Sequence, residues 1–79
     1  MAFYVLLLKE SEDESSVIYS FGPHEEELGR LQLTKADGVV REIEPVPTGN
    51  SEAFFTRASV KLYQHWQKGH FPEKSCWAS

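Results

Sequence analysis

Three residues near the end of the chain could form a metal or thiol site. His65, His70 and Cys76 stand as H-x4-H-x5-C, and His24 could supply a fourth ligand. Zinc needs three or four nitrogen or sulfur ligands converging tetrahedrally, and a thiolate is a good one. The short pairs that enforce convergence, C-x2-C or H-x3-H, are absent. His65 falls at the flank of a helical stripe and His70 beyond the glycine that stops the helix. They read better as a helix-flank and a loop histidine. A nucleophilic cysteine needs a lowered pKa and a base in reach. Lys74 and His70 lie near Cys76, but no G-x-S-x-G or Q-A-C context accompanies them, so Cys76 is expected to be buried and inert. No metal, cofactor or catalytic residue is assigned.

The acidic runs are the next candidates. Glu10, Glu12 and Glu14 alternate with Ser11 and Asp13 and could offer oxygens to calcium. A calcium loop of the EF-hand type needs spaced ligands, a central glycine and a terminal glutamate, and this stretch lacks the glycine and the length. It reads as a solvated hairpin loop, and Glu25–Glu27 as a solvated turn. The five glycines are isolated, so neither GxGxxG nor GxxxxGK[ST] occurs.

Charge is unevenly placed. Residues 1–52 carry four cations against eleven anions, and residues 53–79 carry Arg57, Lys61, Lys68 and Lys74 against Glu73 alone. The net charge of −4 therefore conceals a basic C-terminal third. Arg57, Lys61 and Lys68 cluster on the polar face of a helix and could follow phosphates, which makes nucleic-acid binding the first alternative function. The sequence pI of about 5.3 and the commitment of the aromatics to the opposite stripe argue against it.

Elements must hold these residues in place. Seventy-nine residues make one domain, 1–79, which buries only about 60% of the surface of its unfolded chain. With 41% apolar and 13% aromatic residues it is globular rather than disordered. The lone cysteine fits a reducing compartment. The apolar run Ala2 to Leu8 is too short for a leader or a span, so the expectation is a soluble, cytoplasmic, acidic protein with no membrane contact.

Apolar alternation and turn signals predict strands at about 3–9, 17–21, 28–34 and 39–45. Gly22-Pro23 reads as a turn, with Glu25–Glu27 as a helical turn after it. Gly38 suits the left-handed position after a type I turn, and Pro45 closes the fourth strand. A helix is predicted over 51–68, capped by Asn50 or Ser51 and stopped by Gly69 and Pro72. Phe55, Ala58, Ser59, Leu62 and Trp66 form its apolar stripe, with Tyr63 at the border. The fold class is α+β: a four-stranded antiparallel meander followed by one helix on one face, β-β-β-β-α, with a tail over 69–79.

The first strand is apolar on both sides: Phe3, Val5 and Leu7 point one way, Tyr4, Leu6 and Leu8 the other. In a simple meander it is an edge, and one helix covers only one of its faces. The expected cover for Tyr4, Leu6 and Leu8 is the tail, through Phe71, Cys76 and Trp77, or a second copy of the chain. The function expected is a non-enzymatic interaction module that self-associates, as a homodimer, or meets another protein. A metal-stabilised regulator is the second alternative.

Overall fold

A computed structural model describes residues 3–78; Met1, Ala2 (the start of the apolar run) and Ser79 (the last tail residue) lie outside the described residues. The elements are β1 (Tyr4–Glu12), β2 (Ser16–His24), β3 (Glu27–Thr34), β4 (Val40–Glu44), α1 (Ser51–Lys68) and β5 (Lys74–Ala78). The fold is α+β, but the antiparallel sheet has five strands rather than four, in the order β4-β3-β2-β1-β5. The tail supplies the fifth. It does not fold over the second face of β1. It pairs beside β1, with Leu8 opposite Lys74, Leu6 opposite Cys76 and Tyr4 opposite Ala78. β1 is therefore interior to the sheet, and its neighbours β2 and β5 flank Leu6 but leave Tyr4 exposed on the second face.

Helix α1 keeps its predicted bounds and crosses one face of the sheet. Ala58 and Leu62 are fully buried against Val5, Leu7, Val17, Tyr19, Phe21, Leu31 and Leu33, with Phe54, Phe55 and Trp66 packed around them. Burial of this apolar surface is the main favourable term in the fold, at about 25 cal/mol per Å². Gly69 ends the helix in the left-handed conformation, φ 74°. The start differs from expectation: Asn50 occupies the cap position at φ −125° and no side chain caps the helix. Ser51 Oγ instead accepts from the Val46 N–H at 2.9 Å and donates to Glu42 Oε2 at 3.3 Å, tying the β4–α1 linker to the helix start.

Two hairpins also differ. β2 runs through Gly22-Pro23 to His24, so the dipeptide is not a turn and Glu25–Glu27 is not a helical turn. A register shift between Phe21 and His24 takes up the proline, which cannot donate to a ladder and is tolerated at a bulge. β1 extends past Lys9 to Glu12 through a second bulge, because Asp13 organises the loop beyond it. Its Oδ1 accepts the N–H groups of Ser15 and Ser16, each at 2.8 Å. The β3–β4 turn matches expectation, with Gly38 at φ +73° and its N–H donating to the Thr34 carbonyl. Trp66 anchors that turn by donating from Nε1 to the Lys35 carbonyl at 2.8 Å.

Candidate functional site

The two borders of the sheet differ, and the difference follows from their residues. The β4 border reads Val40-Arg41-Glu42-Ile43-Glu44 and runs into Pro45. It has a register shift against β3 between Arg30 and Leu31, and Arg30 binds Glu44 through Nε at 2.6 Å. Charges, a bulge and a proline are the devices that keep a border from pairing. The β5 border, Lys74-Ser75-Cys76-Trp77-Ala78, pairs with β1 in an unbroken register and has neither bulge nor proline. Its single charge is Lys74.

The ladder fixes which β5 groups are free. Lys9 N–H donates to the Glu73 carbonyl at 2.8 Å, so Lys9 and Glu73 are a hydrogen-bonded pair. In an antiparallel ladder such pairs alternate with non-bonded ones. Ser75 and Trp77 therefore turn their backbone groups toward β1. Lys74, Cys76 and Ala78 turn theirs to the open border.

The helix overlooks this border. Arg57 was expected on the solvated back of α1. Its guanidinium instead lies over the Phe3 ring at 4.1 Å and the Trp77 ring at 5.3 Å, and Nη1 donates to the Ala53 carbonyl at 3.2 Å. The register places Trp77 on the helix side of the sheet, opposite Val5, which brings the indole under Arg57. Two turns on, His65 Nε2 shares a hydrogen bond with Ser75 Oγ at 2.8 Å. Burial lowers the His65 pKa, helped by the positive fields of Lys61 and Lys68, and so favours the neutral imidazole. Lys61 lies four residues from both Arg57 and His65 and shares their stripe. Among the described residues, Lys61, Lys68 and Lys74 form no ion pair.

The remaining predicted residues do not assemble into a second site. Phe71 is buried in the core beneath α1, away from the second face. Tyr4 is 46% exposed there, Leu8 is half-buried, and Leu6, flanked by Cys76 and Gly22 on the adjacent strands, is only 5% exposed. Cys76 is exposed rather than buried, because β5 places its side chain on the face that α1 leaves open. His65 is bound to Ser75, His70 is exposed and His24 pairs with Glu27 at 2.8 Å. No group of three or more His, Cys, Asp or Glu among the described residues is placed to hold a metal ion.

The acidic run borders a cleft of about 600 Å³, but the carboxylates of Glu10, Glu12 and Asp13 are engaged within the chain. Glu12 meets Lys35 at 2.7 Å and Lys9 at 2.8 Å, and these cations hold its carboxyl below the usual range. The backbone donors of Ser15 and Ser16 do the same for Asp13. Glu10 accepts from Ser20. A second groove of about 540 Å³ lies between the β3–β4 turn and α1, lined by Gly38, Val40, Val60 and Tyr63.

Sequence reasoning assigned no site role to Lys74 or Ser75. No local signal marks them, because β5 is ordered by its backbone pairing with β1. The chain matches no family model, no curated protein and no solved structure. No helix among the described residues is long and apolar enough to cross a membrane.

Proposed function

We propose that this chain is a non-enzymatic protein-interaction module that works by strand addition at β5. The observation that carries this reading is the unequal treatment of the two sheet borders. β4 is blocked by a bulge, charges and Pro45, while β5 turns the N–H and C=O groups of Lys74, Cys76 and Ala78 to a border that no other strand among the described residues covers. A row of unpaired backbone groups is a template for another strand. Self-association at this border would pair β5 antiparallel with β5 of a second copy, continuing the sheet.

The nucleic-acid alternative is weakened by the packing of Arg57 between Phe3 and Trp77, which leaves Lys61 and Lys68 of the three residues first considered. The metal-stabilised alternative has no converging ligand set among the described residues.

The test is a block at the border. Cys76 points its N–H away from β1, so Cys76→Pro removes a border donor without removing a β1–β5 hydrogen bond. A library of extended peptides is panned against wild type and Cys76→Pro, and both proteins are run in sedimentation velocity. The expected result is enriched peptides, or a dimer, that wild type supports and Cys76→Pro loses. Peptide binding or dimerisation that persists in Cys76→Pro would remove the reading, as would a wild type that neither dimerises nor enriches any peptide.

A further inference from the structure

The border of β5 is not electrically neutral, and its charge selects a partner. Lys61 and Lys68 stand on the helix side of β5, next to the His65–Ser75 contact, and Lys74 projects from β5 toward the opposite face, in line with Leu8. None of the three has an ion-pair partner among the described residues. Arg57 adds a fourth positive charge at the end nearer Trp77. The one acidic residue of the 53–79 stretch, Glu73, is already paired with Lys9 at 3.2 Å.

From this arrangement we infer that the partner is an extended acidic segment of another protein, added as a sixth strand beside β5. The inference rests on the strand-addition reading and names its partner. A strand sends successive side chains to opposite faces. Carboxylates on one face of the added strand meet Lys61 and Lys68, and carboxylates on the other meet Lys74. Main-chain hydrogen bonds to Lys74, Cys76 and Ala78 supply the pairing, and the lysines supply the choice of sequence.

A second copy is the poorer occupant. Antiparallel self-pairing about Cys76 gathers two sets of Lys61, Lys68 and Lys74 around one axis, with no free carboxylate from either β5. An acidic strand removes that repulsion, and like-charge juxtaposition is what suppresses a wrong partner. A nucleic acid would also answer the lysines, but it makes no use of a row of peptide N–H and C=O groups.

The experiment titrates the intact chain into a fluorescein-labelled peptide of repeated Glu-Glu-Val-Val, which carries glutamates on both faces of an extended strand, followed by anisotropy at low salt. A threonine–valine peptide of equal length and a labelled oligonucleotide serve as comparisons. The expected result is saturable binding of the acidic peptide that weakens as salt rises. Lys61→Glu combined with Lys74→Glu weakens it by roughly tenfold, the sum of two exposed pairs and their reversal, and Cys76→Pro abolishes it. Circular dichroism of each variant confirms that it is folded.

Equal binding of the neutral peptide, still lost in Cys76→Pro, would overturn the acidic partner while leaving strand addition standing. A dimer split by Cys76→Pro, with no peptide bound, would do the same in favour of a second copy. Oligonucleotide binding that needs the lysines and ignores Cys76→Pro, without peptide binding, would overturn both readings. A double variant that circular dichroism shows to be folded, and that binds the acidic peptide at wild-type strength, would also sink the proposal.

Discussion

Replacing Gly38 with alanine tests how the β3–β4 turn is joined to the helix. Gly38 has φ +73°, and a methyl built there lies 2.8 Å from Cε3 and Cζ3 of Trp66. An L-residue in the left-handed region costs about 1–2 kcal/mol. The ring cannot retreat freely, because its Nε1–H is committed to the Lys35 carbonyl at 2.8 Å. Losing that bond costs about 0.5–1.5 kcal/mol more. The sum is about 1.5–3.5 kcal/mol, which lowers the melting temperature of a chain this size by about 6–28 °C.

Gly69 provides the internal control: its φ is +74°, but a methyl there meets nothing within 4 Å, so Gly69→Ala carries the conformational cost alone. Gly49 has neither feature, and Gly49→Ala is neutral or stabilising by about 0.4–1 kcal/mol. The assay is thermal unfolding by far-ultraviolet circular dichroism, with Trp66 fluorescence read in a common Trp77→Phe background. If Gly38→Ala and Gly69→Ala melt together and the Trp66 emission is unmoved, the contact between turn and ring contributes nothing and the reasoning fails.

Leu62, fully buried at the centre of the helix face, should lose about 2–5 kcal/mol on truncation to alanine in denaturant melts; a change below 1 kcal/mol would misplace the core. Arg57→Ala should cost about 1–2 kcal/mol through its contacts with Phe3 and Trp77, whereas Lys68→Ala should stay within about 0.5 kcal/mol. Equal effects at the two positions would return Arg57 to the solvated face. Tyr19, whose hydroxyl donates to the Pro72 carbonyl, has its pKa pushed up from 10.0 to about 12 by burial. Its folded pKa is the higher one, so its contribution is intact below pH 10 and is lost as pH rises from 10 to 12, when the unfolded chain ionises first. The loss is bounded by the ~2.7 kcal/mol of a two-unit shift. Tyr19→Phe should flatten the stability profile across that window; an unchanged slope would dismiss the assignment.

Short-range features were legible without a structure. The bounds of α1, its buried positions Ala58 and Leu62, the inward faces of β2 and β3 and the left-handed Gly38 all follow from periodicity and turn chemistry within a few residues. Those signals are local, because a helix stripe or a glycine at positive φ is dictated by its own stretch of chain. The bulge at Gly22-Pro23 escaped because a proline reads as a stop unless the partner strand absorbing the extra residue is known. The missing N-cap escaped because Ser51 was claimed by Val46 and Glu42, which other segments bring to it.

Only the tertiary structure decided what became of the tail and of Arg57. KSCWA has little strand character by itself. Its backbone is ordered by β1, more than sixty residues earlier in the chain, and that pairing makes β1 interior, turns Cys76 outward and carries Trp77 beneath Arg57. Residue types could announce that β1 needed cover on both sides. Whether the tail packed over the second face or paired beside β1 depended on backbone hydrogen bonds, which any residue but proline can make and which therefore leave almost no mark in the sequence. The identity of the candidate site follows from the same cause: β5 becomes a border only once the sheet is assembled, and the lysines of α1 become its flank only once the helix lies across it.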